Sequence, residues 1–496
     1  MEKGVAPDHD RIDPEVAKYM SETAIEIDEA TNKRLKRMID KRVLTIMTFT
    51  YFLQALDKGT LSFSSIMNLP KDTGLVGQQY SWLTTCIYIA ILIMEYPINW
   101  VIQRVPLAKF LAFNIICWSI VLALHSVCKN FVSLVVVRTL LGVFEATCQP
   151  IFIVLSSMWY KREEQSFIVT IWYMMNGFQQ IVGGLLAYAF SNIQPGGPLK
   201  SWQALFLTYG CFSVIWGIIV LIFMPDSPMR AKCFSEEDKK LMVERVRSNQ
   251  TGLQNRKFRM EQFWDAVKDP QVWAYGLIAF FTTLPTSGLG AFANIIITGL
   301  GFTVLQTQLL AMVLGAYIMF VLLSSTYITK RWGNTIYVMA VYCIPSVVGT
   351  IVLMTVVNTN TATKAGLLLS YYLVLSFWGT ATLSLSLLSR NIGGQTKKSV
   401  AVAINFIFWA TGNAIGPQVF QSKDAPRYFT GFAVHLVCYA LLFFILFGLR
   451  FHFVRENKRK VEHLKSIGAP ETQEASLAHS FDDLTDRENN YFRYTF

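Results

Sequence analysis

Polar and apolar residues fall in long blocks along this chain. Residues 1–40 are polar, and the stretch from Ala24 to Arg42 reads as a surface helix ending in a basic cluster. Apolar runs of about 20 residues follow, each long enough to cross a hydrocarbon layer about 30 Å thick. They lie near 43–65, 79–102, 108–128, 131–157, 165–190 and 201–224. A charged segment occupies 225–269, and six more runs lie near 271–298, 304–329, 335–357, 364–388, 398–420 and 428–450. The tail 451–496 is polar again, and its composition predicts disorder at its end. The pattern predicts an all-α integral membrane protein with twelve transmembrane helices in two six-helix halves. The expected units are an N-terminal tail (1–42), a first bundle (43–224), a central loop (225–269), a second bundle (270–450) and a C-terminal tail (451–496).

A weak internal echo supports the two halves. Ile102-Gln-Arg-Val-Pro-Leu-Ala-Lys109 follows the second run, and Ile328-Thr-Lys-Arg-Trp-Gly-Asn334 follows the eighth. Both are short basic turns at the same place in their half. Paired bundles of this kind place a binding site between them, near mid-membrane.

Composition agrees: 53% of residues are hydrophobic and only 16% charged, too few charges for an ordinary soluble domain. A net charge of +11 invites a nucleic-acid reading, which the placement of the charges removes. With both termini in the cytosol, thirty Lys and Arg fall in inner segments. Only Lys71, Lys129, Lys200, Lys364, Lys423 and Arg427 fall outside. That asymmetry is the one that orients membrane proteins. The sequon at Asn249 then faces the cytosol and is not a glycosylation site. The eight Cys show no Cys-x-x-Cys spacing and read as packing residues. There is no enzyme motif, no metal-ligand spacing and no cofactor signature.

Within the runs the charged residues are Asp57, Lys58, Glu95, Arg138 and Glu145, all in the first half. No Asp or Glu occurs between Pro270 and Lys423. A charge at a helix centre costs about 2.5–3.5 kcal/mol on insertion, so such residues normally face a cavity. At about 1.5 Å per residue, Asp57 and Arg138 share a level in the outer half and Glu145 lies deeper. Arg138 and Glu145 are seven apart and share a helix face. Neighbouring Asp57 and Lys58 do not. Lys58 and Arg138 can hold an anion, while Asp57 and Glu145 can carry a proton. Glu95 reads as structural, and His125 and His435 as packing residues. Asn176, Gln179, Trp409 and Asn413 can line the pocket, with Trp172, Asn294, Trp378 and Asn405 as further candidates.

In order along the chain, these features resemble the major facilitator superfamily and, within its anion:cation symporter family, the fungal allantoate permease group. The likeness covers about 43–455. It rests on Tyr51-Phe-Leu-Gln-Ala-Leu-Asp-Lys-Gly-Thr-Leu-Ser-Phe-Ser-Ser65, Val137-Arg-Thr-Leu-Leu-Gly-Val-Phe-Glu-Ala146, Met224-Pro-Asp-Ser-Pro-Met-Arg230 and the stretch Gly412–Tyr428. The resemblance implies the major facilitator fold, proton coupling at Asp57 and Glu145, and substrate binding at Lys58 and Arg138. Many relatives have Arg where this chain has Lys58, which loses bidentate geometry. The expected function is proton-coupled uptake of a small organic anion, a carboxylate or sulfonate, by a monomer in the plasma membrane. An exporter of a metabolite or toxin is the alternative, disfavoured because the fifth run lacks a Pro. A receptor that signals without transport is a third reading, to which the short tails give no support.

Overall fold

In a computed structural model, residues 27–102, 104–193, 197–231, 233–247, 259–466 and 484–496 are described. Most of the N-terminal tail and the sequon at Asn249 lie outside them. The described chain is helical throughout. Helix α1 (Glu29–Ile39) leads through a π turn at Asp40–Leu44 into α2 (Thr45–Ser65). Then come α3 (Gln79–Ile102), α4 (Leu107–Leu124), α5 (Phe131–Glu145), α6 (Cys148–Trp159), α7 (Arg162–Ser191) and α8 (Ser201–Phe223). The short helices α9 (Glu236–Arg247) and α10 (Met260–Lys268) precede α11 (Pro270–Gly299), α12 (Val304–Trp332), α13 (Thr335–Thr355), α14 (Thr361–Val374), α15 (Trp378–Asn391), α16 (Gln395–Ile415) and α17 (Phe429–Ser466). Twelve spans result, because α5 with α6 and α14 with α15 each form one broken span.

Ten of the twelve are long and apolar enough to cross a membrane on composition alone. The other two, α2 and α7, carry Gln54, Asp57, Lys58, Asn176 and Gln179, and they pack on each other. Their polar residues are tolerated because protein, not lipid, covers them.

The two broken spans are the fourth of each half, and they begin alike. Asn130 caps α5 and Asn360 caps α14, each in a capping box with a hydroxyl three residues on, Ser133 and Thr363. In both spans the first helical segment stops at a comparable distance from its cap, at Glu145 and at Val374. The repeat that the basic turns hinted at is thus written more clearly in the caps and breaks.

The halves meet along α7 and α12, and along α3 and α16. Gly177 of α7 crosses α12 so closely that a Cβ there would stand 2.7 Å from the Gly315 carbonyl oxygen. Hydrogen bonds across the halves occur near the face away from the chain ends, here the far face. Tyr80 donates to the Ala291 carbonyl (2.8 Å), Thr85 to that of Ala414 (2.7 Å), and Gln418 to the Thr85 hydroxyl (2.9 Å). Phe292 and Phe420 stack behind Tyr80.

At the other face, which carries both ends of the described chain, each half has its own clasp. In the first, Arg245 of α9 forks onto both Glu164 oxygens (2.6 and 2.7 Å) and reaches Asn32 of α1. In the second, Lys397 is enclosed by Asp265, Asp269 and Asp486 at 2.9, 2.6 and 2.9 Å. The two helices of the central loop therefore belong to different halves. Asp486 corrects an expectation. The chain end is not disordered: residues 484–496 lie against α10, α11 and α16, with Tyr494 and Gln271 also donating to the Asp486 carboxylate. Polar composition misled because the tail's charges have partners waiting for them.

Removing one partner from a buried ion cluster costs about 3–5 kcal/mol when a charge is left uncompensated. Lys397→Met strands three acids and should lower the thermal midpoint in detergent far more than Asp486→Asn, which leaves Lys397 two partners. Equal losses would refute a clasp centred on Lys397.

Candidate transport site

The break in the fourth span has a local cause. Pro150 has no N–H to give the Ala146 carbonyl four residues back, which weakens the ladder where the helix breaks. Carbonyls of the preceding turn must find other donors in a medium without water. Thr147 turns its hydroxyl onto the Phe144 carbonyl (2.8 Å). The side-chain amide of Gln54, on α2, donates to the Glu145 carbonyl (3.2 Å). The break thus fixes α2 against α5 at the residue that carries the buried acid.

One turn beyond Gln54 stands Lys58. Its ammonium lies 3.5 Å from Glu145 Oε2. The Lys58 side chain is 30% exposed and that of Glu145 fully shielded, so the pair presents its cation to the opening and hides its acid. Tyr51 of α2, Tyr88 of α3 and Cys148 of α6 are close enough to feel the Lys58 charge. Tyr51, Gln54 and Lys58 follow an i, i+3, i+7 spacing on one helical face. That spacing is the signal that could have found Tyr51 and Gln54 in the sequence.

Asp57 turns the other way. It is fully buried, and its Oδ2 accepts from the Trp118 indole of α4 (3.1 Å). Arg138 is buried too, its guanidinium over the Phe206 ring at 5.6 Å. The structure therefore brings Lys58 and Glu145 into contact and keeps Asp57 and Arg138 buried in the same bundle, where Arg138 lies within electrostatic reach of both Asp57 and Glu145.

Between Tyr173 and the second half lies a cavity of about 90 Å³. Tyr173 of the first half closes one side. The second half supplies the rest of its polar and aromatic wall, among it Thr282, Thr286, Trp378, Thr382, Asn405 and Trp409. Trp378 is the first residue of α15, so the broken tenth span delivers an indole here as the fourth delivers an acid. Ring contacts join the cavity to the cation: Tyr88 meets Trp409 edge-on at 5.8 Å, and Tyr51 lies 6.5 Å from Tyr173. No acid or base lines the cavity. The Thr282, Thr286 and Thr382 hydroxyls donate to carbonyls of their own helices, leaving oxygen lone pairs as acceptors.

Among the remaining candidates, Trp409 lines this cavity. Asn176 donates to the Tyr173 carbonyl (3.0 Å), and Gln179 packs its amide against Gly59, beside Lys58. Asn413 donates to the Trp409 carbonyl, while its own carbonyl accepts from Ser287 (2.7 Å), which joins α16 to α11 away from the cavity wall. Glu95 accepts from Asn99 (3.0 Å). His125 is buried, stacked on Phe206 at 4.9 Å. His435 is buried among Phe420, Phe432 and Tyr439.

Residues 47–417 match the family model of the Major Facilitator Superfamily. An uncharacterized transporter of Schizosaccharomyces pombe is 34% identical over 93% of this chain and 87% of its own. The allantoate permease of Saccharomyces cerevisiae is 31% identical over 98% of this chain and 90% of its own. The thiamine pathway transporter THI73 of the same yeast is 33% identical over 93% and 86%. Among solved structures, a partially occluded inward-open form of the E. coli xylose transporter shares the fold. It has a TM-score of 0.63 at 11% identity, covering 81% of this chain and 96% of that one. A bacterial homologue of the lysosomal transporter Spinster aligns with a TM-score of 0.61 at 14% identity, over 82% of this chain and 94% of that one.

The cross-helix cap can be tested alone. A buried carbonyl left without its donor costs about 1–3 kcal/mol. Gln54→Leu should lower the thermal midpoint of the purified protein accordingly, and Gln54→Asn, too short to span the gap, should do the same. A midpoint unchanged in both would remove Gln54 from the account of the break.

Proposed function

The chain belongs to the Major Facilitator Superfamily of membrane transporters, and from that premise we propose that it takes up a small organic anion together with a proton. One observation carries the reading: the Lys58–Glu145 pair at 3.5 Å, with the cation's side chain partly exposed and the acid's fully shielded. An anion arriving at Lys58 competes for the ammonium. Glu145 would then be a bare carboxylate in a dry site, which costs several kcal/mol. Taking up a proton removes that cost. A proton arriving without an anion leaves Lys58 uncompensated instead. Both half-loaded states are penalised, whereas the empty pair and the doubly loaded site are neutral. A carrier restricted to its neutral states moves anion and proton together.

The second half contributes shape and neutral contacts, because its wall holds no charge. A cavity of about 90 Å³ is well below the roughly 300 Å³ of a small-molecule site, so the walls must part for cargo to enter. Arg138 and Asp57 belong in this reading to the state open at the far face, where the Tyr80 contact is released. There Arg138 receives the anion and Asp57 shares the proton. Asn176 and Gln179 shape the site from α7, Trp409 forms its wall, and Asn413 holds that wall in place. The face carrying the chain ends is taken as cytosolic, from the excess of Lys and Arg there. The membrane is taken as the plasma membrane and the working unit as a monomer. An organic acid as cargo is in keeping with the allantoate permease among the relatives.

The test is uptake of labelled carboxylates and sulfonates into proteoliposomes, with and without an inward proton gradient. Glu145→Gln fixes this position in its neutral form without a titratable group, so the anion-loaded site is neutral while the empty one leaves Lys58 uncompensated. It should lose gradient-driven accumulation by at least about tenfold, one unit of 1.4 kcal/mol, yet retain counterflow between equal pools. Lys58→Met should lower affinity in both assays. Accumulation undiminished in Glu145→Gln would overturn the coupling, and a preference for cationic cargo would overturn the substrate class.

A further inference from the structure

The first span has a second face that transport does not use. Between α2 and α7 runs a groove of about 590 Å³. Leu44, Phe49 and Phe52 form one wall and Ile171, Met175 and Phe178 the other, with Lys41 at the mouth. From Lys41 to Phe52 the helix rises roughly 16 Å, about one leaflet of a hydrocarbon core about 30 Å thick. The groove is therefore as deep as a single leaflet and mostly apolar, with Thr45 and Thr48 on its wall and Lys41 beside Asp40 at the end where headgroups lie.

The mouth is shaped by a local irregularity. Asp40–Leu44 form a π turn, in which the Thr45 N–H and hydroxyl both donate to the Asp40 carbonyl. Single π turns inside α-helices frequently mark functional positions. The acid of this turn is occupied, since Asp40 Oδ1 accepts from the Tyr160 hydroxyl (3.0 Å). Arg42 of the turn lies over the Phe223 ring (5.9 Å). Among the described residues Lys41 and Arg37, one turn apart and exposed, form no salt bridge, whereas Lys33, Arg34 and Lys36 of α1 are each paired with an acid.

We propose that this groove is a binding site for an anionic phospholipid of the leaflet at the face carrying the chain ends, one acyl chain lying between α2 and α7 and the phosphate held by Lys41 and Arg37. A neutral lipid satisfies the walls but leaves the cations unanswered; a soluble phosphate answers the cations but leaves the walls empty. The bound chain braces the side of α2 opposite Tyr51, Gln54 and Lys58. The site stands on this groove alone and does not depend on what the protein transports.

Native mass spectrometry of the purified full-length chain tests it, with equimolar dioleoylphosphatidylglycerol and dioleoylphosphatidylcholine competing and glycerol phosphate as the chain-free control. One basic side chain at a lipid surface contributes about a fivefold preference for the anionic headgroup. Wild type should retain phosphatidylglycerol with at least that preference and bind no glycerol phosphate. Lys41→Gln, an exposed position that the fold tolerates, should lose about fivefold of it, and Lys41→Arg should keep it. Met175→Trp, which fills the groove, should lower retention of both lipids. Equal retention of the two lipids by wild type overturns the proposal. So does a preference untouched by Lys41→Gln, and so does Lys41→Gln acting alone while Met175→Trp changes nothing, since the charge would then act at the surface without the groove.

Discussion

An ionised side chain in a membrane needs a partner, and the Lys58–Glu145 contact is where this protein meets that demand at its centre. The contact is asymmetric. The ammonium is partly exposed, whereas the carboxylate is enclosed. In the proposed mechanism that difference in exposure, more than the presence of two charges, is what would let the pair couple two events, the cation exchanging its partner for a ligand and the acid being neutralised. A fully buried pair would be a clasp, as at Lys397, and a fully exposed one would contribute little in water.

Placing such a pair requires backbone that is not regular. A continuous fourth helix would spend the Glu145 carbonyl on its own ladder. The break ahead of Pro150 frees it, and Gln54 takes it up, so the acid is located by a main-chain contact from the helix that carries its cation. The tenth span repeats the break without the acid and sets Trp378 at the midline. Two copies of one architecture have thus been given different chemistry, one half charged and the other aromatic and hydroxyl-lined. This division matches the lack of any Asp or Glu between Pro270 and Lys423.

Spans, halves and the inventory of buried charges were legible in the sequence because each rests on local properties: run length, cap residues, the rarity of Asp and Lys in apolar segments. Partnership was less legible. Counting residues along the helix axis put Asp57 and Arg138 on one level, but depth does not say which way a side chain turns. Asp57 turns to Trp118 on α4 and Glu145 turns to Lys58. Gln54 escaped notice because its role is a bond to a carbonyl, and a carbonyl has no letter in the sequence. The ordered chain end escaped for a related reason. Asp486 looks like a solvated charge until the distant Lys397 that it meets is known.

The first span shows how these constraints combine. One face carries Tyr51, Gln54 and Lys58 toward the pocket and the fourth span, and another carries Phe49 and Phe52 toward the groove beside α7. Most of the span is nonetheless buried within the protein. In the proposed mechanism, the helix bearing the cation must keep contact with the acid while the halves rock. Its fixed points come mostly from the first half: the Gln54 bond at mid-span, the Trp118 indole on Asp57, the Trp216 indole on Thr50, and the contact of Gln179 with Gly59. From the second half, Gln308 of α12 donates to the Phe63 carbonyl near the far end of the span (3.4 Å). On the proposed mechanism the first span would therefore move with its own bundle, the second half parting from it by releasing that bond while the Lys58–Glu145 pair stays intact.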